Sequence, residues 1–199
     1  MNKTEHKLCF IDTETTGLCA HKNNIFQLSA KILTPDAGEI LDEINLRFRP
    51  HSLEHYSVGA METTGVTLEE WQSYPLSSED AFKQFSEWVS NHVNRYEKKD
   101  KLQFVAYNAL FDSDFVRQWY EKNGDNYYGA FFFHPPICVM QAAAWFTQRV
   151  RGVFPDFTLG TICKCAELGW DDERAHDADY DVVKTIELFR YLQSHVPQL

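Results

Sequence analysis

The sequence predicts an α/β fold with a mixed central sheet of about five strands flanked by helices. Short apolar runs typical of buried strands occupy the first quarter of the chain. Segments with helical spacing of apolar residues follow, mostly after residue 77. No linker rich in proline, glycine or serine divides the 199 residues, so we expect a single domain spanning 1–199.

Five segments are predicted to be strands. The first, 8–11, is an apolar run that ends at Asp12, as expected of a buried central strand. The second and third flank Pro35, Asp36 and Gly38, which favour the turn of a hairpin. The predicted strands are 8–11, 25–33, 40–48, 102–107 and 137–140.

Helices are predicted where apolar residues recur at helical spacing. The first has this spacing from Phe82 to Val93, and Ser78 with Asp80 supplies a cap at its start. The residues between the second and third helices, 122–136, are rich in turn formers. The predicted helices are 77–95, 111–120, 140–148, 158–168 and 177–194.

Composition excludes several classes of protein. The 44% of hydrophobic and 24% of charged residues are ordinary globular values. The sequence has no apolar run of about 18 residues, so a membrane span is not expected. The polar N-terminus does not resemble a signal peptide. Five cysteines without C-x-x-C spacing favour a reduced, cytoplasmic protein without a zinc knuckle. With 19 basic against 29 acidic residues, coating of duplex nucleic acid by charge alone is not expected.

The first candidate site is Asp12-Thr13-Glu14, at the end of the first predicted strand. Residues two apart on a strand face the same way, so the two carboxylates would repel each other. A divalent cation with a preference for oxygen ligands would relieve this repulsion. Gly17 would give the backbone room for a ligand. The alternative interpretation is that the two carboxylates lie at a solvated strand end and bind no ligand.

The second candidate site, Asn108 to Asp112, follows the predicted strand 102–107. Ligands of open α/β sheets bind beyond the carboxyl ends of strands. The alternative interpretation is that Asp112 only caps the next helix. Asp114 is expected to be exposed.

The third candidate site, His176 to Asp181, opens the last predicted helix. Positions five apart on a helix point about 140° away from each other, so these two residues share a site only if His176 precedes the first turn. A calcium loop is excluded because Val182 and Leu188 occupy the positions of its glycine and glutamate. Asp177 and Asp179 are expected to be caps or solvated charges.

Together these motifs resemble those of the DEDDh 3′–5′ exonucleases. The order D-x-E, N-x-x-F-D and H-x-A-x-x-D is that of the family, and the similarity extends from Lys7 to Tyr191. The resemblance implies a ribonuclease H-like fold and release of nucleoside 5′-monophosphates from the 3′ end of nucleic acid. Single-stranded DNA is the expected substrate, with RNA as the alternative. A homodimer and association with a polymerase both remain open.

The resemblance also implies two divalent metal ions, Mg²⁺ or Mn²⁺, and assigns residues to roles. The metal ligands would be Asp12, Glu14, Asp112 and Asp181, and His176 would be the general base. Two ions about 4 Å apart suit in-line displacement at phosphorus, and a histidine titrates near neutral pH. The residues expected to contact substrate or support the site are Thr15, Gly17, Leu18, Asn108 and Phe111.

Other substrate contacts are weaker hypotheses. Phe26 is a candidate for base stacking, and core packing is the alternative for any phenylalanine. Arg149, Arg151 and Arg174 either hold phosphates or are solvated. The sequence departs from the family at two positions: Thr64 replaces a histidine, and Cys138 replaces an aspartate that many relatives carry.

Two rival functions are retained. A phosphatase of the haloacid-dehalogenase type also has a strand-end acidic motif, but D-x-D differs from the D-x-E of Asp12 and Glu14. A domain that binds nucleic acid without catalysis is the second rival, and the presence of His176 and all four acidic residues argues against it.

Overall fold

A computed structural model describes residues 5–195 and contains one mixed five-stranded sheet. Its strands are β1 (Leu8–Thr15), β2 (Ile25–Leu33), β3 (Ile40–Arg47), β4 (Gln103–Ala106) and β5 (Ile137–Cys138). Their order is β3-β2-β1-β4-β5, with β1 antiparallel to β2 and parallel to β4. The predicted mixed sheet is therefore confirmed.

Helices cover both faces of the sheet. They are α1 (Val58–Thr64), α2 (Leu68–Ser73), α3 (Ser78–Ser90), α4 (Ala109–Lys122), α5 (Tyr128–Phe131), α6 (Val139–Phe146), α7 (Leu159–Cys165) and α8 (Ala178–His195), with a 3₁₀ segment at Gln148–Val153. Within residues 5–195, no helix has the length and apolarity needed to cross a bilayer.

The alternation of β1 side chains divides the core into two layers. Cys9 and Ile11 belong to the apolar cluster that contains α3 and α4, whereas Leu8 and Phe10 belong to the cluster that contains α6, α7 and α8. Because β1 is buried on both faces, its first half is continuously apolar, as in other central strands.

The first strand is longer than its apolar run predicts. Asp12 was expected to end it, but β1 continues to Thr15, which pairs with Ile25 of β2 across an irregularity after Glu14. Backbone pairing with β2 sustains the strand after the side chains have become polar. Asp12 and Glu14 consequently lie within a strand, which fixes their orientation.

Several boundaries also differ from the prediction. The helix expected over 77–95 ends at Ser90. The apolar spacing continues beyond it because Val93 is buried, although it lies in a loop. The expected strand 137–140 keeps two residues, since Met140 already belongs to α6. The helices predicted over 111–120, 140–148, 158–168 and 177–194 are present as α4, α6, α7 and α8 with shifted ends.

Four short elements were not predicted. They are α1, α2, the 3₁₀ segment and α5, of which α5 lies within the stretch expected to consist of turns. A signal for α2 was present in the sequence. Thr67 and Glu70 form a reciprocal capping box, with the Thr67 side chain accepting from the Glu70 backbone and the Glu70 carboxylate accepting from the Thr67 backbone.

Candidate active site

A cleft of about 610 Å³ opens at the carboxyl ends of β1 and β4, and all five predicted catalytic side chains line it. They come from β1 (Asp12 and Glu14), the first turn of α4 (Asp112) and the region where α8 begins (His176 and Asp181). The structure therefore brings together residues up to 169 positions apart in the sequence. Local pattern alone could not establish that proximity.

Asp12 and Glu14 project from the same face of β1, as their spacing predicts. Their partners across the antiparallel pair are Ser29 and Gln27 on β2. Glu14 is buried and Asp12 is partly buried. The interpretation as a solvated strand end is therefore wrong.

Asp112 connects α4 to β1 instead of capping its own helix. Its Oδ1 accepts hydrogen bonds from the backbone N–H of Thr13 at 3.0 Å and from the Thr13 hydroxyl at 2.9 Å. The N-cap position belongs to Asn108, so the interpretation of Asp112 as a simple cap is wrong. Asp114, two residues further on, is exposed as expected.

His176 precedes the first turn of α8, which is the placement that its spacing from Asp181 requires. Its φ of 64° lies in the left-handed region and turns the chain sharply before the helix. Asp177 caps α8, because its Oδ1 accepts from the backbone N–H groups of Asp179 and Tyr180 at 3.1 and 3.2 Å. This expectation for Asp177 is confirmed.

The start of α8 is held by a row of polar side chains on β2. Gln27, Ser29 and Lys31 alternate along the strand and are all buried. The amide of Gln27 donates to Asp177 at 3.4 Å, and the hydroxyl of Ser29 donates to Asp179 at 3.0 Å.

Charged groups complete this row. Lys31 lies 2.9 Å from Asp179 and 2.7 Å from Glu43, and Arg47 of β3 pairs with Asp177. Asp179 was expected to be a cap or a solvated charge, but it is engaged by Lys31, so that expectation is wrong. These contacts fix the position of α8 relative to the strand that bears the paired carboxylates.

Burial and mutual repulsion shape the electrostatics of the cleft. Burial, followed by the charges of Asp112, Glu14 and Asp181, raises the pKa of Asp12 well above its ordinary value. Burial, followed by the charges of Asp181, Asp112 and Asp177, raises the pKa of Glu14 to about 8. Burial raises the pKa of Asp112 to about 7 against the lowering effect of its bonds from Thr13, and raises that of Asp181 to about 7. The four carboxylates thus lack sufficient compensating positive charge from the protein.

The donor set fits divalent cations. One ligand atom each from Glu14, His176 and Asp181 lie within 4.8 Å of one another. The Oδ1 atom of Asp181 is buried and has no hydrogen-bond partner within the described chain. A cation would satisfy that oxygen and relieve the repulsion, and carboxylate oxygens are the ligands that Mg²⁺ and Mn²⁺ prefer.

The five residues expected to contact substrate also line the cleft: Thr15, Gly17, Leu18, Asn108 and Phe111. Leu18 is 86% exposed, so its side chain is available to a ligand. The Thr15 hydroxyl is occupied, since it donates to the Gly17 carbonyl at 2.7 Å. A Cβ atom at Gly17 would approach the Asn23 amide to 2.6 Å. Glycine at this position is therefore explained by close contact with Asn23 and not by space for a ligand.

The sequence did not indicate most of the cleft walls. One wall is formed by α1 and the residue before it, and the other by residues around α6 and α7. The wall residues that were not singled out are Ser57, Gly59, Ala60, Thr63, Tyr107, Met140, Phe157, Thr158 and Leu159. Of α1, only Thr64 was noted; it lines the cleft, and its hydroxyl donates to the Ala60 carbonyl at 2.9 Å.

The remaining candidates for substrate contact lie in different surroundings. Phe26 is 1% exposed and packs against Trp71, so its proposed role in base stacking is wrong. Cys138 lies outside the cleft lining, and its thiol contacts the Tyr107 carbonyl at 3.2 Å. Arg151 and Arg174 each pack over an aromatic ring, that of Phe157 and Tyr180 respectively.

Comparison with known proteins identifies similar sequences. The RNase_T family model, described as exonuclease, matches residues 9–189. Ribonuclease T of Histophilus somni is 25% identical over 193 residues, covering 95% of this chain and 84% of that protein. The 3′-5′ DNA exonuclease Cap18 of Escherichia coli is 28% identical over 185 residues, covering 92% and 89%.

Other relatives are larger than this chain. DNA polymerase III PolC-type of Bacillus cereus is 29% identical over 184 residues, which are 91% of this chain and 11% of that protein. The crystal structure of E. coli exonuclease I with single-stranded DNA and zinc has a TM-score of 0.77 at 20% identity, covering 98% of this chain and 42% of that one. The structural likeness shows the ribonuclease H-like fold, and the chain spans less than half the length of each of these two proteins.

Proposed function

This chain belongs to the exonuclease family whose model matches residues 9–189, and we propose that it hydrolyses single-stranded nucleic acid from the 3′ end. The products would be nucleoside 5′-monophosphates. The observation that carries the proposal is the convergence of Asp12, Glu14, Asp112, His176 and Asp181 on one cleft at the carboxyl edge of the sheet.

The carboxylates of the cleft would hold the cations that the reaction needs. We assign Asp12, Glu14, Asp112 and Asp181 as ligands of two divalent ions, Mg²⁺ or Mn²⁺. Bound there, such ions would stabilise the charges on the attacking and leaving oxygens of a phosphodiester. The bonds that Thr13 donates to Asp112 Oδ1 orient this carboxylate and leave Oδ2 available for a ligand role.

His176 is assigned as the general base that accepts a proton from the attacking water. It is the most accessible of the five side chains and lies at the mouth of the cleft. Its burial is only partial, but it lowers the pKa of the imidazole below the ordinary value, so the ring is neutral and able to accept a proton at pH 7.

The terminal nucleotide would lie between the two walls of the cleft. Leu18 and Phe111 offer apolar surface, whereas Asn108 and Thr15 offer polar backbone and side-chain groups. Similar solved structures include E. coli exonuclease I in complex with a dT13 oligonucleotide, and Cap18 is named a DNA exonuclease. These relatives support DNA as the substrate to test first, with RNA as the alternative.

The decisive experiment is a side-by-side digestion of 3′-labelled DNA and RNA of matched sequence, single-stranded and duplex, with Mg²⁺ or Mn²⁺. We expect stepwise release of labelled mononucleotides from single strands and none in the presence of a chelator. Removal of a terminal phosphate alone would favour the phosphatase. Binding without cleavage would favour the non-catalytic domain, and either result would refute the proposal.

Location and assembly form part of the proposal. The five cysteines are unpaired in the described structure, which suits the reducing cytoplasm. A homodimer or a complex with a polymerase is compatible with the family. Sedimentation of the isolated protein, alone and with a candidate polymerase, distinguishes these assemblies from a monomer.

A further inference from the structure

The described lining of the cleft offers no permanently charged cation to a phosphate. Among the described residues that line it, none is lysine or arginine. Its charges are four carboxylates, which the metal ions of the proposed mechanism would offset. Any side-chain cation that neutralises phosphates beyond the reacting one must therefore lie outside the cleft.

Arg151 is placed to supply such a cation at the rim. Its guanidinium lies 4.1 Å from the centroid of the Phe157 ring, and Phe157 lines the cleft. The carbonyl of Phe157 accepts a hydrogen bond of 2.6 Å from the Tyr107 hydroxyl, which secures this wall. Packing over this ring restricts the guanidinium without using its N–H donors.

The surrounding segment has an unusual charge pattern for this acidic chain. Residues 126–155 contain no aspartate or glutamate, although the whole chain has 29 acidic residues. The two arginines in this stretch, Arg149 and Arg151, are both exposed. Neither has a carboxylate within 4 Å among residues 5–195. Hydrogen bonds, and to a smaller extent the charge of Arg151, lower the pKa of the exposed Asp156 carboxyl, which forms no ion pair with this arginine, so both guanidinium groups can still bind a ligand.

Exposed apolar side chains accompany these arginines. Val150 is 54% exposed and Val153 is 75% exposed, on the same 3₁₀ segment.

We propose that the rim surface, defined as residues 148–153 together with the ring of Phe157, binds the phosphates of a single strand several nucleotides upstream of its 3′ end. This inference rests on the proposed function and adds the substrate length that the protein recognises. A strand leaving the cleft past Phe157 would meet Arg151 and then Arg149. Guanidinium groups bind phosphate through paired N–H donors and carry no sequence preference.

The consequence is a dependence on substrate length. A dinucleotide would fill the cleft without reaching the rim surface, whereas a 12-nucleotide strand would contact it. Substitution of the arginines should therefore affect only the longer substrate. Lys83 provides a matched control, since it is exposed on α3, a helix none of whose residues lines the cleft.

The experiment compares Arg151→Ala, the double variant Arg149→Ala/Arg151→Ala and Lys83→Ala. For the 12-mer we expect KM to rise roughly 3- to 10-fold with kcat unchanged in the arginine variants. The slope of log KM against log salt should fall by roughly 0.7 for each phosphate that the variant no longer neutralises. For the dinucleotide, and for Lys83→Ala with either substrate, KM should stay at the wild-type value. Arg151→Lys should retain most of the salt dependence.

Binding is measured separately by fluorescence anisotropy of a labelled 12-mer, in the inactive Asp12→Asn background. Equal effects of the arginine substitutions on both substrate lengths, or an effect of Lys83→Ala as large as theirs, would overturn the inference and leave the proposed function intact. If the wild type cleaves neither substrate but the 12-mer still binds through the arginines, the proposed function fails and the rim surface stands.

Discussion

At the scale of single residues, the cleft is a set of charges that the protein alone does not balance. Asp12, Glu14, Asp112 and Asp181 share one buried region, and each has a raised pKa. Such crowding destabilises the ionised, metal-free state. The arrangement therefore favours binding of the cations in the proposed mechanism, and the individual side chains can be tested separately.

We expect Asp12→Asn to lower the rate of cleavage by about 10³-fold or more, because several kcal/mol of transition-state stabilisation depend on the ions that Asp12 would hold. The amide preserves the size of the side chain and removes a repelling charge, so the melting temperature should not fall. Mononucleotide release and thermal denaturation measure the two effects. Wild-type activity in this variant would rule out the assigned role of Asp12.

His176→Ala should lower kcat by about 10²- to 10⁴-fold while metal binding persists, since a general base acts on the reacting water and not on the ions. Isothermal titration calorimetry with Mn²⁺ tests the second half of this prediction. Because His176 also lies within 4.8 Å of Glu14 and Asp181, a loss of metal affinity would instead identify it as a ligand.

At the scale of elements, the polar face of β2 positions the start of α8. Gln27, Ser29 and Lys31 occupy alternate positions on a strand that is buried along its whole length. Burial opposes the charge of Lys31, but its hydrogen bonds to Glu43 and Asp179 raise its pKa above the ordinary value. Polar residues persist on this interior strand because each has a partner at the start of α8.

Lys31→Met should lower the free energy of unfolding by about 1–3 kcal/mol, because Asp179 loses its cation while remaining partly buried. Loosening of α8 should also lower kcat more than it raises KM, since His176 and Asp181 would lose their alignment. Urea denaturation and steady-state kinetics measure these effects.

Glu43→Gln is the matched control for Lys31→Met. It removes the more exposed partner of the same lysine, and its cost should stay within about 1 kcal/mol. Equal destabilisation by the two variants would mean that the contact of Lys31 with Asp179 stabilises the fold no more than its contact with Glu43 does.

At the scale of the whole molecule, the acidic cleft connects stability to pH and to metal. The raised pKa values mean that the folded protein binds protons more tightly than the unfolded chain does. The stability contributed by these protons is fully present below the unfolded pKa values, which are about 4. It is lost as pH rises through the folded values of about 7 for Asp112 and Asp181 and about 8 for Glu14.

The metal-free protein should therefore be less stable at pH 8 than at pH 5.5 by several kcal/mol, since one unit of pKa difference corresponds to about 1.4 kcal/mol and three of the carboxylates titrate across this range. The lowered pKa of His176 has the opposite sign and offsets part of this effect. Saturating Mg²⁺ should restore most of the stability lost at pH 8. Urea denaturation across this pH range, with and without Mg²⁺, checks the prediction.

Glu14→Gln provides the control for this pH dependence, because it removes the carboxylate whose pKa is raised to about 8 and should flatten the profile. A stability that rises steadily from pH 5.5 to 8 in the metal-free wild type would contradict the electrostatic description of the cleft.

The sequence by itself determined which residues could carry the chemistry and which elements bear them. D-x-E sets two carboxylates on one strand face, and the spacing of His176 and Asp181 requires a loop before the helix; both follow from local backbone geometry. Asp112 was located after its strand for the same reason. These features follow from short-range periodicity, so they can be predicted without knowing which elements pack against them.

Only the tertiary structure decided what packs against each face. Phe26 is buried against Trp71, Asp179 binds Lys31, and α1 forms a wall of the cleft, and none of these contacts follows from local spacing. An alternating pattern states that a side chain points to one side of a strand, but not whether solvent, a helix or a ligand lies there. That choice depends on contacts between segments far apart in the chain, which form only when the layers assemble.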